Sequence, residues 1–147
     1  MNVKSLLIAS LAGGLLSLML VNTPFVNLIN LLACAGLWIG PIAAVWLYGR
    51  LSGTPTLGQA VIIGLLAGLW HGLFGLLLSP LGLAGAGGML TLLRSMVQPQ
   101  DWPGVQTALT GLWGMLYNMI GVMLDAAFGV AGGLVASVLF GARPSAA

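Results

Sequence analysis

Apolar positions run through most of the chain, and the polar residues fall in short clusters that cut it into four hydrophobic segments. The first spans about Ser5 to Val21 and stops at Asn22-Thr23-Pro24, where the proline disfavours helical geometry in the residue before it. The second spans about Phe25 to Tyr48 and carries Pro41 behind Gly40, a pair expected to kink it by removing one helical N–H. Arg50-Leu-Ser-Gly-Thr-Pro-Thr then reads as a turn, polar and rich in helix breakers. The third segment, Gly58 to Leu78, is long enough as a helix, about 32 Å, to match the hydrocarbon thickness of a bilayer. It stops at Ser79-Pro80.

Beyond it the pattern becomes less regular. From Met89 to Val97, the residues Met89, Leu92, Leu93, Met96 and Val97 share one helical face, and Thr91, Arg94 and Ser95 lie elsewhere, which predicts a short helix lying in the membrane interface. Residues 98–104 read as a loop, with Asp101 placed to cap the next helix, Pro103 in its first turn and Trp102 as a headgroup anchor. The last apolar stretch, Trp102 to Gly141, covers 40 residues. One straight helix of that length would measure about 60 Å, twice the hydrocarbon core, so a broken helix is expected. Its first part would lie at the interface on a stripe of Gln106, Thr110 and Gly114, the break would fall near Asn118 or Gly121, and a true span would run from about Tyr117 to Phe140.

Composition makes the membrane the only plausible solvent. Of 147 residues, 59% are hydrophobic and 4% charged, where an ordinary soluble domain carries roughly a quarter charged. Mean hydropathy is +1.10. Lys4, Arg50, Arg94, Arg143, Asp101 and Asp125 are the whole set of formal charges, with no Glu. So few polar groups cannot cover a soluble globule, and a net charge of +2 in scattered residues makes no nucleic-acid footprint. The chain therefore reads as one all-α membrane domain over residues 1–147, with four spans and its partner the lipid bilayer. With four crossings, Lys4, Arg50 and Arg143 share one side and Arg94 lies on the other, which puts both termini in the cytoplasm. The first segment also has the outline of a signal peptide, but no small-x-small cleavage site follows it, so a retained span is expected.

Small residues recur at four-residue spacing in every span: Ser10 with Gly14, Gly13 with Ser17, Gly36 with Gly40 and Ala44, Gly64 with Gly68 and Gly72, and Gly129 with Gly133, Ser137 and Gly141. In lipid, apolar side chains gain nothing by leaving the tails, and close backbone approach becomes a main source of helix association. These stripes predict a self-packed bundle, a homo-oligomer or docking onto other membrane subunits.

Few residues offer chemistry. Cys34 is the single cysteine and has no partner for a disulfide or metal site. No nucleophile and base are spaced for catalysis, so neither an enzyme nor a metal site is expected. Asp125 is costly near the bilayer centre and should be paired, protonated or turned inward. His71 lies nine residues from Pro80 and Asp125 eight from Tyr117, markers of the same side of the membrane, so the two sit at similar depth and a buried His71–Asp125 clip between the third and fourth spans is expected. A proton or ion relay through that pair is an alternative, with Asn27 and Asn30 as a polar helix entrance or, more simply, as caps of a tight connection. A third reading takes His71 alone: Ala67 and Gly68 before it and Gly72 and Gly75 after it would leave a flat clearing, and the Ala67/His71 pair resembles the pigment-ligand helix of light-harvesting antenna polypeptides, which implies a chlorophyll-type pigment with His71 as axial ligand.

Asn27-Leu-Ile-Asn30, Cys34, Trp38-Ile-Gly40, Ala43, Tyr48-Gly-Arg50, Gly53, Gly58 and Gly64 through Gly68, with Gly132-Gly133 through Phe140-Gly141-Ala-Arg143 at the end, resemble a pattern in small, glycine-rich, four-span bacterial membrane proteins. The chain departs from it in having one cysteine near the second span and few basic residues after it. The resemblance implies a four-span topology and a bacterial inner-membrane location, and transfers no activity. The function expected from all of this is a non-catalytic accessory or scaffold subunit without a cofactor.

Overall fold

A computed structural model describes residues 1–22, 35–78, 94, 96–110 and 112–141. The fold is all-α, with no strand among the described residues: α1 Val3–Asn22, α2 Ala35–Ser52, α3 Leu57–Leu78, α4 Trp102–Thr110 and α5 Leu112–Leu139. Three helices are long and apolar enough to cross a membrane: Val3–Asn22, Leu57–Leu78 and the Asn118–Leu139 part of α5, with mean hydropathies of 1.9, 2.1 and 1.9. α2, which contains Pro41 and ends in Arg50, packs beside them as an 18-residue helix.

Local polar groups fix the helix ends. The Asn2 side-chain carbonyl accepts from the backbone N–H groups of Lys4 and Ser5 at 3.1 and 3.4 Å, capping α1. Thr56 and Gln59 form a reciprocal box at the start of α3, with Thr56 N–H donating to Gln59 Oε1 at 3.0 Å and Gln59 N–H donating to Thr56 Oγ1 at 3.3 Å. α2 stops where Gly53 turns to φ +87°, a conformation that glycine adopts without a steric penalty. α4 starts directly after Asp101, whose backbone carbonyl accepts from Val105 N–H at 3.2 Å.

The four longer helices alternate in direction. Asn2 N–H donates to the Tyr48 hydroxyl at 3.3 Å, which brings the start of α1 to the end of α2. α3 begins at that same end of the bundle, and Met1, Asn2, Tyr48, Thr54 and Gln59 border one cleft there. α5 returns antiparallel to α3, the most extensive of the helix contacts, and finishes with Phe140 beside Pro55. Arg94, whose guanidinium lies 5.9 Å from the Trp102 ring centroid, belongs to the opposite end.

The interior is narrow because its residues are small. Ala9, Ala44, Ala60, Ala67 and Ala136 are almost fully buried, and Ile63 is the largest side chain with no surface left. Bulky apolar side chains point outward instead, with Met123 and Val138 at 71% and 82% exposure. That is the reverse of a soluble fold and suits a bundle whose solvent is hydrocarbon.

One expectation about the helices needs correction. Asn118 and Gly121 both lie within α5, so the last apolar stretch does not break there; residue 111, between α4 and α5, lies outside the described residues. A lone Asn or Gly costs a helix only about 1 kcal/mol, too little to break one held by tertiary packing. α2 runs as one helix with Pro41 inside it. The proline ring lies against Gly132 of α5, where an added Cβ would come 2.8 Å from Pro41 Cβ. Most of the expected interfacial helix, Met89 to Val97, lies outside the described residues.

Candidate functional site

The site grows from the seam between α3 and α5. α3 buries Ala60, Ile63, Gly64, Ala67, Gly68, His71 and Gly72, the i, i+3, i+4 positions of a single face. Along α5 the facing residues are Gly133, Gly129, Asp125 and Val122. A Cβ on Gly64 would run into the Gly129 carbonyl oxygen, one on Gly68 into the Asp125 carbonyl oxygen, and one on Gly133 into the Ala60 carbonyl oxygen. The backbones themselves are in contact, at a spacing only glycine permits.

That spacing sets His71 and Asp125 together. The His71 Nδ1 and Asp125 Oδ2 atoms are 3.1 Å apart, with side chains 11% and 17% exposed. Gly72 makes room for the carboxylate, since a Cβ there would lie 3.1 Å from Oδ2 and 3.0 Å from Val122 Cα. Although the distance is that of an ion pair, the oxygen stands off the axis of an Nδ1–H, so no aligned hydrogen bond is formed. Turning the two polar groups toward each other and away from the lipid tails lowers the cost of placing either in the membrane.

α1 closes the other side of the same turn. A Cβ on Gly14 would come 2.9 Å from the Ala67 carbonyl oxygen, 3.1 Å from the His71 backbone nitrogen and 2.6 Å from Trp70 Cβ. The clearing expected beside His71 is therefore occupied, by α1 at Ala67 and by α5 at Gly68 and Gly72; of the flanking small residues only Gly75 faces open space.

Gly64, Gly68, Gly72, Gly129 and Gly133 all take part in the seam. Gly141 does not: it follows α5 with φ +66° and nothing within 4 Å of its Cβ direction, so it terminates the helix rather than packing it. Asn27, Asn30 and Cys34 lie outside the described residues.

Two polar groups at the helix contacts were not singled out by sequence reasoning. Ser17 Oγ is buried against Gly40 without a hydrogen-bond partner, and Trp70 Nε1 is buried and unpartnered while its ring stacks on Phe74 at 5.7 Å. Depth was the available signal for Trp70: it sits eight residues inside the end of α3, about 12 Å from it, too deep for a headgroup anchor. Ser17 gave no signal beyond its place in a small-residue stripe.

No family model, curated protein or solved structure matches the chain.

Proposed function

We propose that the chain is a non-catalytic subunit of the bacterial inner membrane: a four-span bundle with both termini in the cytoplasm, a short interfacial helix at Met89 to Val97, and an accessory or scaffold role beside larger membrane subunits or further copies of itself. One observation carries this reading. The single histidine of the chain and one of its two carboxylates are closed on each other inside a backbone-to-backbone seam, where they hold α3 to α5.

α2 supplies the fourth span, antiparallel to α1, and the alternation of the helices sets Lys4 and Arg50 at one end and Arg94 at the other. Because the glycine faces of α1, α2, α3 and α5 are used within the chain, a partner would engage the outer side of α5. There Met119, Met123 and Val138 are exposed. A subunit of this kind copurifies in fixed stoichiometry with other membrane chains, or as a defined homo-oligomer, when extracted in mild detergent and weighed by native mass spectrometry. A bare monomer under those conditions contradicts the proposal.

The off-axis geometry of the pair favours a second reading, a small proton- or ion-coupled transporter, because a loosely aligned pair exchanges its proton more readily than a tightly bonded one. Asp125→Asn keeps the shape and removes the exchangeable charge, so proteoliposomes containing this variant should lose proton-driven flux. Equal flux in both proteins, or none in the parent, counts against transport. Axial ligation of a pigment by His71 would require α5 to leave Gly68 and Gly72; a purified protein with no visible absorption band disposes of it.

A further inference from the structure

At the end of the bundle that holds the start of α1, the 53–56 turn and the end of α5, a groove of about 150 Å³ plays no part in the seam. Val45, Trp46, Pro55 and Phe140 give it apolar walls, and Arg50 and Thr54 are its polar members. The Arg50 guanidinium lies over the Trp46 ring, 5.5 Å from its centroid. Stacking of this kind holds the planar group in place and leaves its in-plane N–H donors for an acceptor.

The chain itself offers no acidic side chain as that acceptor. Its two carboxylates are Asp125, held by His71 in the seam, and Asp101, which precedes α4 and stands at the opposite end. Lys4, exposed in the first turn of α1, adds a second cation to the end that carries Arg50. Trp46 is half exposed there, the position of a headgroup-level aromatic. A cation and a hydroxyl above apolar walls complement an amphipathic anion; a free phosphate would leave the walls unfilled.

We infer that this groove binds one phospholipid with an anionic headgroup, its phosphate accepting from Arg50 and Thr54 and an acyl chain lying along Val45, Trp46 and Phe140. The inference rests on the membrane placement proposed above. Resistance of the chain to carbonate extraction from membranes tests that placement separately, so its failure is distinguishable from failure of the lipid site.

The full chain, purified in mild detergent, is mixed with phosphatidylglycerol or phosphatidylcholine and examined by native mass spectrometry. Preferential retention of one phosphatidylglycerol is expected. Arg50→Gln should lower that retention roughly fivefold, the effect of one basic residue at an anionic membrane surface. Arg50→Lys should keep part of it, and Trp46→Leu, which frees the guanidinium, should reduce it as well. Arg94→Gln, at the opposite end, should leave it unchanged. Equal retention of the two lipids, equal losses in Arg50→Gln and Arg94→Gln, or displacement of the lipid by excess inorganic phosphate would each overturn the site.

Discussion

Replacing Gly129 by leucine should cost the bundle about 3 kcal/mol, the upper end of the overpacking range. A Cβ at this position already meets the Gly64 carbonyl oxygen and comes 3.1 Å from Gly68 Cα. Both obstacles are backbone, so no rotamer change relieves the clash and α5 must move off α3. That separation also removes the dispersion contacts that hold helices together in lipid, where no hydrophobic term replaces them. Gly121→Leu is the internal control: it adds the same side chain to the same helix in open space, and leucine's better helix propensity makes it neutral or stabilising by about 0.5 kcal/mol. Unfolding in mixed micelles titrated with dodecyl sulfate measures both. Equal midpoints for the two variants would mean that the α3–α5 seam does not hold the fold.

Breaking the intramembrane pair should give a strongly non-additive result. His71→Leu leaves the Asp125 carboxylate without a partner between α3 and α5, and its insertion cost of about 3 kcal/mol bounds the loss from above. Asp125→Leu leaves a neutral imidazole, and an unpaired buried neutral group costs about 1 kcal/mol. The double variant removes both polar groups, and apolar pairs of similar volume replace buried ion pairs at little net cost. It should therefore lie within about 1 kcal/mol of the parent, giving a coupling energy of about 3 kcal/mol across the cycle. Simple addition of the two single losses would show that His71 and Asp125 do not depend on each other.

Residue counting gave a useful view of this site because depth in a membrane is nearly a one-dimensional quantity. Nine residues from Pro80 back to His71 and eight from Tyr117 to Asp125 were enough to put the two at similar depth, and the structure has them 3.1 Å apart. Spacing also marked Gly64, Gly68, Gly72, Gly129 and Gly133 as packing residues. It could not say which glycine meets which, since that depends on helix rotation and on the register of two segments joined by a long connection. Gly141 shows the limit: it continues the four-residue rhythm, yet its backbone has already left the helix. Equally hidden was the clearing beside His71, because a flat helix face reads the same whether lipid, a pigment or α1 lies against it. The position of the helix break failed for a different reason: Asn118 and Gly121 weaken a helix locally, but the packing of α5 decides where it continues.

The pairing of α3 with α5 has a consequence for the order of events during biosynthesis. α1, α2 and α3 can close on one another early, whereas the seam between α3 and α5 must wait until the 79–111 stretch and then α5 have left the ribosome. His71 therefore enters the bilayer before its acidic partner, and Asp125 arrives later to find the histidine already installed. With the chain order reversed, the carboxylate would have to wait in lipid for the histidine; the sequence delivers the costlier group second.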